Sequence, residues 1–103
     1  MNSDIITDEL LEEFKDRMKI SHSAEDESLK KLLFESYEEL QDMCGEFSLE
    51  TSVTGKGLVM ERSRYVYNDA TEFFEANFKT ALMRLGFKNY LATRGISDGG
   101  EEV

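Results

Sequence analysis

The sequence predicts an all-α protein: a small helical bundle of short helix, long helix, loop and long aromatic-rich helix, kinked within its length and followed by a flexible C-terminal tail. Three observations carry that reading. Apolar residues recur at helical spacing in three stretches. The first two of these open on a hydroxyl side chain followed by acids, the pattern that caps a helix and complements its dipole. The stretch between the second and third, Gly45 to Gly57, has no helical period and is rich in Gly, Ser and Thr. A chain of 103 residues with 40% hydrophobic content supports one core. We therefore expect one helical domain over residues 1–94 and an acidic tail over 95–103. Proline is absent and Cys44 is the single cysteine, so apolar packing alone must hold the fold.

The first helix is expected within TDELLEEFKDRM. Thr7 is its N-cap, Asp8 and Glu9 sit where the dipole favours negative charge, and Leu10, Leu11, Phe14 and Met18 form one apolar stripe. Ser21 and Ser23 then compete for backbone hydrogen bonds, and Ser23 is expected to cap a second helix whose first turn is Ala24 to Glu27. Leu29, Leu32, Leu33, Ser36, Tyr37, Leu40, Met43 and Cys44 make its inner stripe, and Gly45 is placed to end it. Glu35, Glu38, Glu39 and Asp42 fall on its solvated face.

Helical spacing resumes at Leu58. Val59, Val66, Ala70, Phe73 and Ala81 lie near one face, and Tyr67, Phe74, Phe78, Leu82 and Leu85 lie on the adjoining one. A kink is expected near Asn77 and a stop at Gly86, with FKNYLATRG as a last turn or an extended arm. The conformation of residues 45–57 and 86–103 is left open at this point.

Charge is divided along the chain. Residues 1–50 hold five Lys/Arg against fifteen Asp/Glu, whereas residues 51–103 hold seven of each. An acidic surface repels phosphate, which disfavours nucleic-acid binding through a basic footprint. No apolar run approaches the roughly 20 residues of a membrane span. The opening MNSDIITDELLEEF has neither the basic start nor the apolar block of a signal peptide, so a soluble intracellular protein without membrane association is expected.

Catalytic patterns are weak. His22 is the single histidine and lies between two serines at a helix start, where an exposed turn residue is the simpler reading. Cys44 sits on the apolar stripe and reads as core. TGKG lacks the preceding strand, the spacing and the hydroxyl residue of a phosphate loop. Glu25, Asp26 and Glu27 lack the alternating acids and central glycine of a calcium loop, and helix-start charge explains them. No enzyme activity, cofactor or metal is expected.

The segment ERSRYVYNDATEFFEANF holds five of the eleven aromatic residues. For any single aromatic the simpler reading is the central core helix of a monomeric bundle, with some of Phe73, Phe74 and Phe78 facing the core. As a single helix the segment nevertheless presents an apolar band too wide for the two preceding helices to cover, because Phe73 and Phe74, like Val66 and Tyr67, project about 100° apart. Arg with Tyr and Phe is the composition enriched in interface cores. We expect a subunit contact at Arg62, Arg64, Tyr65, Tyr67, Asn68, Asp69, Phe74 and Phe78, with another copy of the chain as the simplest partner. A head-to-tail contact of neutral half on acidic half closes into a ring when the rotation allows.

These segments resemble the head-tail connector proteins of tailed bacteriophages, also called adaptor or head-completion proteins and described as DNA-packaging proteins. ELLEEFKDRMKISHSAEDESLKKLLFESYEEL is similar to the family's opening, with Asp26 where the family favours Asp. ERSRYVYNDATEFFEANF is similar to the arginine-led aromatic helix of connectors from phages of Gram-positive bacteria. The order of short helix, long helix, loop and long helix also matches, over about residues 4–90. The tail and the loop FSLETSVTGKG carry no family pattern. The resemblance implies a homo-oligomeric ring beneath the portal protein, in the neck of the virion and assembled in the host cytoplasm. Such a ring extends the channel for double-stranded DNA and supports a stopper or tail-completion protein. Glu35, Glu38, Glu39 and Asp42 are then candidate channel-facing acids past which DNA slides without specific binding. The rival reading from the same charge is a small acidic DNA mimic that occupies a nuclease or DNA-binding protein.

Overall fold

The computed structural model describes residues 5–95. They form a small all-α bundle without strands among the described residues: α1 (Asp8–Met18), α2 (Asp26–Cys44), α3 (Val53–Tyr67), a 3-10 turn (Thr71–Phe73), α4 (Phe74–Asn77) and α5 (Lys79–Thr93). The expected tail lies outside the described residues from 96 onward.

α1 begins as its sequence dictates. Thr7 Oγ1 accepts from the Leu10 amide at 3.1 Å, and Asp8 and Glu9 occupy the first turn. It ends at Lys19, whose left-handed backbone (φ 61°) lets the Lys19 and Ile20 amides reach back to the Asp16 and Lys15 carbonyls. Leu10, Leu11 and Phe14 are buried against the rest of the core together with Ile6. Four ion pairs fasten the same helix to its neighbours: Lys30 to Asp8 (3.0 Å) and Lys15 to Asp26 (2.8 Å) on α2, Lys56 to Glu13 (3.1 Å) and Arg17 to Glu61 (2.8 Å) on α3. The Lys15 ammonium is raised above its ordinary pKa, chiefly by its hydrogen bond to Asp26.

α2 and α3 make the main helix pair, and α5 packs on both. Leu29, Leu33, Ser36, Leu40 and Cys44 lie on the buried face of α2, and Leu58, Val59, Met60 and Ser63 on that of α3. The structure revises the expected start of α2. Helical hydrogen bonding begins at Asp26, and Ser23 caps no helix with its side chain: its carbonyl accepts from the Asp26 amide in a turn (3.2 Å), while His22 Nδ1 accepts from Ala24 (3.3 Å). Met43, expected inside, is exposed. Gly45 does end the helix, with φ 89°.

The third helix departs most from expectation. It starts at Val53, well before Leu58, because Ser52 supplies the N-cap: its Oγ accepts from the Gly55 amide at 3.0 Å. Gly55 is buried beneath the Phe47 ring, where a side chain would collide. The remaining linker, Gly45 to Ser52, is pinned by Tyr37, whose hydroxyl donates to the Phe47 carbonyl (2.9 Å) while its ring meets Phe47 edge-on at 5.3 Å. α3 then stops at Tyr67. Asp69 adopts a left-handed conformation (φ 59°), and the Asp69 and Ala70 amides close on the Val66 and Tyr65 carbonyls at 3.0 and 2.8 Å. Asp tolerates that geometry better than most residues with a side chain. A second junction at Phe78 separates α4 from α5, at the place where a kink was expected. Gly86 is not a stop but an interior residue of α5, facing the Cys44 backbone.

Candidate functional site

The break at Asn68–Ala70 ends the single helix on which the wide apolar band depended, and Phe74 follows the core reading while Phe73 stays exposed. A continuous helix would have fanned its rings over a wide arc, whereas the reversal folds Phe74 and Phe78 back onto Tyr65. Tyr65 meets both rings edge-on at 5.7 Å, Phe74 and Phe78 stack at 5.1 Å, and Asn77 Nδ2 donates to the Tyr65 hydroxyl at 2.9 Å. Phe74 is 2% exposed and belongs to the chain's own core, so its expected place at a subunit contact is corrected. Tyr65 and Phe78 are partly buried in the same cluster.

The arginines that lead the segment are also engaged within the chain. Arg62 Nη1 donates to Ser36 Oγ (3.1 Å), which also accepts from Ser63 Oγ (2.9 Å) in the buried seam between α2 and α3. Arg64 grips Glu61 Oε1 through two nitrogens at 3.2 and 2.7 Å, and its guanidinium lies 5.2 Å from the Tyr65 ring centre. Tyr67 stays exposed and donates to Glu25 Oε2 (3.2 Å), a bond to a carboxylate that raises its hydroxyl pKa. Asn68 and Asp69 are exposed at the break itself.

Two other surfaces carry unsatisfied chemistry. Glu35, Glu38, Glu39 and Asp42 are all exposed along one face of α2, across from Leu33, Leu40 and Cys44 and flanked by the buried Phe34 and Ser36. With Gln41 they border a shallow polar depression, and none of the four joins an ion pair among the described residues. Glu35 and Glu39, four residues apart, are separated by about 6 Å of helix rise. The sequence reading found this row from periodicity alone.

The other surface was missed. The outer face of α5 exposes Met83 (66%), Phe87 (62%) and Tyr90 (55%) in one stripe. α5 contains no acid, and its cations Lys79, Arg84 and Lys88 join no ion pair among the described residues. Placing a stop at Gly86 cut this helix in two and hid the 83, 87, 90 spacing. The inner face of α5 is anchored by another residue the reading passed over. Asn89 is buried, and its Nδ2 donates to the carbonyls of Cys44 (2.9 Å) and Gly45 (3.2 Å), closing the end of α2.

His22 is exposed on its turn, with Nε2 3.8 Å from a Glu25 carboxylate oxygen. Cys44 is buried, its thiol directed at the Leu82 carbonyl (3.5 Å), and burial pushes its pKa up, away from the reactive thiolate. No group of three or more His, Cys, Asp or Glu is placed to hold a metal ion among the described residues, and no helix there is long and apolar enough to cross a membrane. Comparison of the chain with family models, with curated proteins and with solved structures returns no match.

Proposed function

We propose that this chain is a structural subunit of the head-tail connector of a tailed bacteriophage. It forms a ring beneath the portal, extends the exit channel for double-stranded DNA and supports attachment of the stopper or tail. The observation that carries the reading is the row of Glu35, Glu38, Glu39 and Asp42, held in register by a helix whose other face is core and joined in no ion pair among the described residues. Such a row repels the phosphate backbone, with Lys31 one turn before Glu35 as the one cation of α2 on that face, which suits a wall past which DNA slides. Of the segments that resemble the family, the opening one folds into α1 and α2, while the aromatic one is divided between the end of α3 and α4 where the resemblance implies one helix.

Affinity capture of a tagged copy from cells producing the parent phage, followed by electron microscopy, tests the proposal. Portal rings or DNA-filled heads tagged at one vertex are the expected result. Recovery of a host nuclease or DNA-binding protein without capsid parts would sink it and favour the DNA mimic, for which the same acid row would imitate phosphates. For the row itself, the expected result of Glu35→Lys, Glu38→Lys and Glu39→Lys in combination is slower DNA ejection from otherwise complete particles. Unchanged ejection would remove these positions from the channel wall.

A further inference from the structure

The outer face of α5 is an interaction surface without a partner in the subunit. Met83, Phe87 and Tyr90 form an apolar stripe more than half exposed, with Lys79 and Arg84 alongside. Arg beside aromatic and Met side chains is the composition of an interface centre. Two copies of this face do not suit each other, since Lys79 and Arg84 repel their counterparts and α5 has no acid to offset them. The complement must combine apolar area with negative charge.

Three acidic surfaces of the subunit are candidates. The outer face of α1 is lined by Asp8, Glu9, Glu12, Glu13 and Asp16, with no apolar side chain to meet an aromatic one. The α2 row offers charge, but its depression is lined by Glu35, Glu38, Glu39, Gln41 and Asp42, with nothing to take up an aromatic side chain. A second groove offers both. It runs between the entry to α1 and the linker before α3, with Ile5, Tyr37, Phe47 and Leu49 along its apolar side and Glu46 and Glu50 among its lining. Both glutamates are exposed and join no ion pair among the described residues, and Asp8 and Glu9 follow Thr7 at the groove's α1 end. The groove is rigid where it matters, because Tyr37 holds Phe47 by both ring and hydroxyl.

We infer that the α5 stripe of one copy docks in this groove of a second copy, Phe87 against the Phe47–Leu49 side and Arg84 toward Glu46 and Glu50. Knob and groove are different surfaces of the same chain, so the contact is heterologous and propagates head to tail, as a ring requires. The inference rests on the connector reading for its biological setting, but its test does not.

Full-length single variants Ser48→Cys and Met83→Cys, each on a differently sized tag, are mixed and oxidised; both positions are exposed and Cys44 stays buried. The expected product is the mixed disulfide between the two chains, formed about tenfold or more faster than either homodimer. Phe87→Ala or Arg84→Glu slows that cross-link and weakens association in sedimentation velocity by about tenfold, the scale of a truncated interface anchor. Combining Arg84→Glu with Glu50→Lys restores it. A dominant Met83→Cys homodimer, rescue by Glu35→Lys with Glu39→Lys in place of Glu50→Lys, or a chain monomeric at every concentration overturns the inference. A monomer leaves the capture experiment to decide the connector reading. Capture without capsid parts, alongside the mixed disulfide, removes the connector reading and keeps the contact.

Discussion

Asn89 joins the two halves of the fold, and removing its amide tests whether α5 is seated as described. Its Nδ2 is the donor to the Cys44 and Gly45 carbonyls at 2.9 and 3.2 Å, at the end of a helix whose last carbonyls have no helical partner. Asn89→Ala strands the buried Cys44 acceptor, at a cost of about 1–3 kcal/mol, while the partly buried Gly45 carbonyl regains water. We expect a net loss of about 2 kcal/mol, which for a domain of this size lowers Tm by roughly 8–16 °C. Asn89→Asp is expected to be worse at pH 7, because a carboxylate faces two carbonyl oxygens and has no proton to donate. That environment raises the carboxyl's folded pKa above its unfolded value of about 3.9. The stability of this variant is therefore highest below the unfolded pKa and is lost as pH rises through the folded one. Urea unfolding followed by far-UV circular dichroism at pH 7 and pH 4 reads both effects. Asn77→Ala is the control, since its bond to the Tyr65 hydroxyl is exposed and should be worth less than about 0.5 kcal/mol. An Asn89→Ala variant as stable as that control, or an Asp variant matching the Ala variant at pH 7, would refute the seating.

Three glycine-to-alanine changes should differ by position. Gly86→Ala and Gly57→Ala are each expected to stabilise by about 0.5–1 kcal/mol, because both lie inside helices and the new methyl meets ordinary contact or open space; Gly55→Ala should destabilise by about 1–3 kcal/mol against the Phe47 ring. Thermal melts of the three settle the order, and a stabilising Gly55→Ala would discard the packing described for the linker. In the α2/α3 seam, Ser36→Ala should cost about 1 kcal/mol by stranding Ser63 and Arg62, whereas the Ser36→Ala, Ser63→Ala double should cost less than the sum of the singles. An additive cycle would deny the hydrogen bond. Burial raises the Tyr37 pKa against a weaker opposing bond from Gln41, so its contribution is complete below the unfolded pKa of about 10 and is lost as pH rises through the higher folded value. Tyr37→Phe should flatten the alkaline fall of the urea midpoint, and an unchanged fall would exclude Tyr37 as its source.

The first half of the fold was legible because its signals are local. Thr7 with its acids, the stripe from Leu29 to Cys44 and the positive-φ Gly45 each act within a few residues of themselves. The second half turns on conformations that sequence pattern under-reports. Ser52 looks like any loop serine until its helix exists, and Asp69 enters the left-handed region without the glycine that would announce it. Gly86 reads as a terminator but lies inside α5, where a methyl would meet only ordinary contact with Cys44. These misreadings propagate into the site. With α3 taken through to residue 85, Phe74 and Phe78 seemed surplus and the α5 stripe was invisible. The acid row on α2 was legible because exposure on a long helix follows directly from periodicity.

The segregation of charge bears on how anything approaches this molecule. α1 and α2 each carry more acids than bases, while α5 carries cations alone. The protein is thereby an electrical dipole as well as a net anion, and an incoming charged body experiences a torque before it touches. At low ionic strength, encounters are biased toward presenting α5 to negative surfaces; beyond a screening length of about 8 Å at physiological salt, that alignment fades and orientation is left to chance. Association rates should therefore fall with added salt more steeply than the stability of the contact once made.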